Sequence, residues 1–219
     1  MAGTFLSRPE RRRCVRERVL GYIDGFNLFR GVEKAGWKRY HWLDVPLLIE
    51  NLLKPGQTLC GVNYFTARLS GAGLNQSNQA AFLEALETQG RCSIHLGRYQ
   101  EVTTTPCSRC GFRARISKEK MTDVNIASQI TADAFENLFD SAILVSGDAD
   151  LTSAVRAVVG RAKKRVVVAF PPERDRSKFL KQFCSAYLTI GRAKLAASQL
   201  PDSIEKPDGT ILRRPAAWS

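Results

Sequence analysis

Four acids stand where the chain leaves an apolar run or enters a helical pattern. Asp24 ends "VLGYID", Asp148 and Asp150 follow "AILVSG", and Asp123 comes one residue after Thr122, a candidate cap for the clearest helix of the chain. Carboxylates that converge repel one another, and burying them unpaired is costly, so a shared site needs a positive partner. A hard divalent cation fits that need. Mg²⁺ and Mn²⁺ take oxygen ligands, and Mg²⁺ keeps several waters while one or two carboxylates and substrate phosphates hold it. Each acid taken singly also has a plainer role. Asp24 before Gly25 suits a turn, Asp123 suits a first helical turn, and Asp148 or Asp150 suits a helix cap.

The elements that would position these acids can be read from periodicity. "RVLGYID", "TLCGVNYFTARL", "RCSIHLGRYQEV", "SAILVSG", "KRVVVAF" and "AYLTIG" read as strands. Between them lie helical stretches: "GFNLFRGVEKAG" ended by Gly36, "LDVPLLIENLL" capped by Asp44, "NQSNQAAFLEALETQG" ended by Gly90, and the helix after Thr122. In that last helix Ile126, Ile130, Ala134 and Leu138 recur every fourth residue as one apolar face. "ADLTSAVRAVVG" and "RSKFLKQFC" complete the series. Strands separated by helices, with unbroken apolar runs such as "AILV" and "VVVAF", predict an α/β fold: a mostly parallel central sheet covered by helices on both faces. In such a sheet ligands bind beyond the carboxyl ends of the strands, where Asp24, Asp148 and Asp150 are expected.

The 219 residues carry 33 Lys and Arg against 21 Asp and Glu, a formal charge of +12, so the surface attracts polyanions and nucleic acid is the leading partner class. No apolar run reaches the roughly 18 residues of a membrane span, and the N-terminus does not read as a secretory signal. A cytoplasmic setting follows as the expectation, and there six cysteines suggest free thiols or metal ligands rather than disulfides. We expect a basic arm over 1–17, one domain over 18–199 with a hairpin insertion at 103–118, and an extended tail over 200–219 anchored by Trp218.

Three segments, "YIDGFNLF" at 22–29, "KEKMTDVNIA" at 118–127 and "AILVSGDADL" at 142–151, resemble in order and spacing the NYN domains of the PIN-like nuclease superfamily. The tail segment "KPDGTILRRPAAW" is also similar to a family C-terminal segment. The resemblance covers the chain from about residue 18 onward. It implies a Rossmannoid three-layer sandwich and a ribonuclease that uses Mg²⁺ or Mn²⁺ to hydrolyse RNA phosphodiester bonds, cutting endonucleolytically. It carries over Asp24, Asn27, Asp123, Asp148 and Asp150 as active-site residues, the four acids holding metal. Many relatives have a further acid six residues after the position of Asp123, where this chain has Gln129; Ala149 and Leu151 replace a commoner Ser and Phe. Gln129 is the best support for the alternative, an inactive RNA-binding or scaffold module. The expected RNA contacts are Arg68, Lys118, Lys120, Lys163 and Lys164, within a wider basic run from Arg161 to Arg165.

Cys107-x-x-Cys110-Gly looks like half of a zinc ribbon. A structural zinc needs two more ligands, from Cys60, Cys92, His95 or His41, or from a second chain in a homodimer. A phosphatase of the haloacid-dehalogenase type is disfavoured because "DGFN" lacks its Asp-x-Asp motif. Neither a G-x-G-x-x-G nor a Walker A segment is present.

Overall fold

The computed structural model describes residues 16–219 except 70–72, 104, 107, 114 and 174–176. The expected basic arm lies outside the described residues except for its last two positions.

The chain opens with β1 (Glu17–Asp24) and α1 (Gly25–Lys34), then α2 (Val45–Glu50), β2 (Gln57–Thr66), α3 (Leu74–Gln89), β3 (Ser93–Leu96), β4 (Arg98–Thr103) and β5 (Arg115–Lys120). It continues through α4 (Thr122–Phe135), β6 (Ser141–Val145), a 3-10 turn (Ala149–Leu151), α5 (Thr152–Gly160), β7 (Arg165–Phe170), α6 (Lys178–Phe183), β8 (Ala186–Thr189) and α7 (Arg192–Ala196). A hairpin of β9 (Ser203–Glu205) and β10 (Ile211–Arg213) and a 3-10 turn at Ala216–Trp218 end the chain.

Six strands form one parallel sheet in the order β3-β2-β1-β6-β7-β8. Burial on both faces explains the unbroken apolar runs: all five residues of β6 are buried. Two cores flank the sheet. One gathers Ile23, Trp42, Leu48, Ile49 and Leu86, the other Tyr22, Phe65, Ile126, Ile130 and Phe170. Strand order reverses between β1 and β6, the position at which an open parallel sheet leaves a crevice above its carboxyl ends.

Local chemistry sets the boundaries near that crevice. Asp24 and Asp44 cap α1 and α2, each accepting the backbone N–H three residues on, from Asn27 at 2.9 Å and Leu47 at 2.8 Å. Gly25 lies so close to β2 that a Cβ there would meet the Tyr64 hydroxyl at 2.5 Å and the Phe65 carbonyl at 2.8 Å. Only glycine lets α1 start directly above the sheet.

Three expectations need correction. "RCSIHLGRYQEV" is two strands, because at Gly97 the Lys120 carbonyl and the Thr122 hydroxyl would each stand 2.7 Å from a Cβ and the chain leaves the main sheet there. Thr122 does not cap α4. Met121 holds the cap position in a left-handed conformation at φ 75°, and Thr122 is the first helical residue. Leu138 is not on the α4 face: the helix ends at Phe135, Asn137 turns left-handed, and Phe139 fills the core while Leu138 stays exposed.

The tail holds Trp218 as expected, buried against His41, Trp42 and Phe82. β4 and β5 pair antiparallel apart from the main sheet, Arg98–Thr103 against Arg115–Lys120, and the CxxC-bearing insertion expected over 103–118 is not shown. The zinc-ribbon character predicted for it is not shown: Cys110 is exposed in the turn and Cys107 lies outside the described residues. Among the described residues no helix is long and apolar enough to cross a membrane.

Candidate active site

Asp24 sits at the carboxyl end of β1, only 4% exposed, with both oxygens engaged. Oδ1 accepts the Asn27 backbone N–H, and Oδ2 accepts the Ser146 hydroxyl at 2.9 Å. Ser146 Oγ accepts the Asp148 backbone N–H at 3.0 Å, and Asn27 Oδ1 accepts the Gly147 backbone N–H at 3.1 Å. Asp148 Oδ1 then accepts the Asp150 backbone N–H at 3.0 Å. This chain of bonds ties the end of β1 to the loop after β6 across the strand-order reversal.

A cavity of about 680 Å³ opens at that point, lined by Asp24, Asn27, Asp123 and Asp148 and by Lys120. The acids from β1, from the first turn of α4 and from the loop after β6 therefore share one space. Asp150 lies on the exposed side of the 3-10 turn and is not part of the lining, although its charge reaches Asp123. Burial pushes the Asp123 carboxyl above its ordinary range, and the negative charges of Asp148 and then Asp150 push it the same way. Oxygen-only donors brought into one space suit a hard divalent cation. Among the described residues no three His, Cys, Asp or Glu side chains are close enough to form a preassembled cage. An ion here would therefore depend on waters and a substrate phosphate for most of its ligands, the usual habit of Mg²⁺.

The basic residues divide. Lys120 lines the cavity, and Arg68 follows β2 at the same edge of the sheet, 3.5 Å from the exposed Glu87. Lys118 belongs to β5, and its side chain lies outside the description. Lys163 and Lys164 precede β7, and in a parallel sheet that puts them at the edge opposite the acids; Lys164 Nζ donates to Asn137 Oδ1 there. These two lysines are therefore not brought to the site.

Gln129 is also directed elsewhere. It donates to Asp133 Oδ1 at 2.8 Å, and the Tyr22 hydroxyl donates to Asp133 Oδ2 at 2.5 Å in the core. Gln129 lines a second, more open cavity with His95, Asn125 and Ser128. The candidate zinc partners are dispersed. Cys92 packs at the core edge, His95 stacks on Phe65 and bonds Asn63 at 2.9 Å, His41 stacks on Phe29, and Cys60 is exposed on β2. No zinc ligand set is assembled among the described residues.

Sequence reasoning missed the aromatic part of the cavity. Phe26, Phe29, Tyr64, Phe82, His41 and Trp218 line it beside the acids. The available signal was the pair Phe26 and Phe29, three residues apart on a helix whose buried face is Leu28 and Val32.

The NYN domain family model matches residues 18–191. The chain belongs to the NYN family. NYN domains are generally nuclease domains, and Asp24, Asp123 and Asp148 line the crevice of this nuclease-like fold. The chain is 27% identical over 234 residues to a Pseudomonas putida protein named 6-hydroxy-3-succinoylpyridine 3-monooxygenase, covering 90% of this NYN chain and 74% of the relative. It also superposes on the crystal structure of a Vibrio parahaemolyticus protein of unknown function, with a TM-score of 0.56 and 17% identity, covering 85% of this chain and 98% of that one. At that identity the superposition speaks for the fold alone.

Proposed function

We propose that this NYN protein is a divalent-metal-dependent ribonuclease, cutting within RNA strands in a cytoplasmic setting. One observation carries the proposal: Asp24, Asp123 and Asp148, from distant parts of the sequence, line one cavity at the reversal of strand order. Asp24, Asp123 and Asp148 would hold Mg²⁺ or Mn²⁺, with Asp150 acting from the rim. Bound there, the cation would supply Lewis acidity and charge neutralisation to phosphodiester hydrolysis.

The chain's own groups have separable tasks. Asn27 and Ser146 fix the loop that presents Asp148, and Lys120 and Arg68 offer positive charge to the RNA backbone at the same edge. Contacts of that kind make binding fall steeply with salt. Gln129 donates its amide to Asp133 and does not line the cavity of these acids, which favours cleavage over the non-cleaving module.

The test is labelled RNA incubated with Mn²⁺ or Mg²⁺, with EDTA, and with Asp148→Asn protein. Cleavage by the wild type alone is expected. RNA left whole under every condition overturns the reading, as does an Asp148→Asn protein that cuts at the wild-type rate. RNA bound but never cut would return the scaffold alternative.

A second reading rests on the Pseudomonas relative and on the aromatic lining. In it the cavity takes a small heteroaromatic compound for oxygenation, as that protein's name describes. Conversion of 6-hydroxy-3-succinoylpyridine, with O₂ and a two-electron reductant supplied so that one oxygen atom enters the ring and the other leaves as water, by a protein that leaves RNA intact would favour it.

A further inference from the structure

Phe26 and Phe29 follow Asp24 on the first turns of α1, and they remain 40% and 36% exposed while Leu28 and Val32 of the same helix are buried. Two half-exposed aromatic rings beside an acidic site contribute little to a core that the other face of the helix already builds. Phe29 is the outer end of a stack. Its ring lies on the His41 imidazole with centroids 4.0 Å and planes 20° apart, and His41 meets Trp218 at 5.5 Å. Trp218 rests in turn on Trp42 and Phe82 in the core.

Holding His41 in this stack is costly, because its buried Nε2 has no hydrogen-bond partner among the described residues. Burial also keeps the imidazole neutral, lowering its pKa to about 4, so the stack carries no charge near neutral pH. The result is a braced, uncharged ring platform whose open end lies in the cavity of Asp24, Asp123 and Asp148. The Arg30 guanidinium, paired with Glu33 at 2.8 Å, lies 5.2 Å from the centre of the Phe26 ring. A phosphate and its ion fill only part of about 680 Å³, which leaves the aromatic part of the cavity for another portion of the substrate.

Resting on the ribonuclease reading, we propose that Phe29, braced by His41 and Trp218 and flanked by Phe26, is a subsite that stacks a planar heteroaromatic ring, a nucleobase next to the scissile phosphate. Stacking a base on an aromatic side chain is worth about 1–3 kcal/mol and tolerates any base, since every base has a π-face. The subsite secures the strand without reading sequence. A paired base must first leave its stack, so duplex RNA binds less well.

The test is binding of a short single-stranded oligoribonucleotide containing 2-aminopurine to the full chain without divalent metal. Phe29→Leu keeps apolar volume and removes the aromatic face; Phe29→Trp keeps the face. The wild type and Phe29→Trp should quench the fluorophore, and Phe29→Leu should bind about 5- to 150-fold more weakly with the quench lost. Equal affinity and equal quench in Phe29→Leu would overturn the subsite. Free adenosine monophosphate and an oligonucleotide abasic at the probe position separate the possible sources of the ring. A Phe29 effect seen with the free nucleotide and absent with the strand would overturn the assignment to RNA. The two readings fail differently. Cleavage that needs Asp148 and ignores Phe29→Leu sinks the subsite alone, whereas absence of any cleavage sinks the ribonuclease.

Discussion

Gly147 donates its backbone N–H to the Asn27 side-chain oxygen at 3.1 Å, joining the loop after β6 to the first turn of α1. Asn27 is 3% exposed, and its own backbone N–H is held by Asp24, so its amide group clamps the loop that carries Asp148. Asn27→Ala keeps the Asp24 cap and releases that clamp. Stability should fall by about 1 kcal/mol, the ordinary worth of one buried hydrogen bond, as read by denaturant unfolding. Metal-dependent cleavage should fall further, by about tenfold or more, because the positioning of Asp148 is lost. Equal small losses in both measurements would assign Asn27 a structural role only.

Asp123 is held in a conflict that the metal-free protein cannot relieve. Burial and the charges of Asp148 and Asp150 raise its pKa, so the folded chain binds a proton more readily than the unfolded chain does. The stabilising contribution is present below the unfolded carboxyl range and is lost as pH rises through the raised folded value. Asp123→Asn should therefore make the metal-free protein more stable at pH 7 while weakening its response to Mn²⁺. Thermal unfolding with and without Mn²⁺ reads both effects, and a variant less stable than wild type in EDTA would contradict the account.

His41 gives the opposite pH dependence. Its pKa falls from 6.5 to about 4 on burial, so the unfolded chain takes up the proton first. Stability is full above pH 6.5 and declines as pH falls from about 6.5 toward 4, by at most about 1.4 kcal/mol per unit. Unfolding free energies across that range should slope in the wild type and flatten in His41→Phe. An unchanged slope would place the titration elsewhere.

Much of this architecture is legible in the sequence, for reasons that particular residues make plain. The apolar run of β6 and the glycines at 36 and 90 announce their elements, both glycines adopting positive φ at helix ends. The convergence of Asp24 and Asp148 follows from strand polarity. The same rule assigns Lys163 and Lys164 to the far edge, since they precede a strand rather than follow one. Other features depend on contacts between distant segments. Gly97 ends β3 because Lys120 and Thr122 approach it, and Gln129 turns from the acids because Asp133 is fixed by Tyr22. Nothing local to His41 or Trp218 shows that they share a cavity with Asp24.

The most direct test of the central claim, that these acids act together as one cation site, is a Mn²⁺ titration of the metal-free protein by calorimetry. Asp123→Asn and Asp148→Asn are titrated beside the wild type, with circular dichroism confirming the fold. Saturable binding by the wild type, weakened at least about tenfold in each variant, is the predicted result. Wild-type affinity in both variants would contradict it.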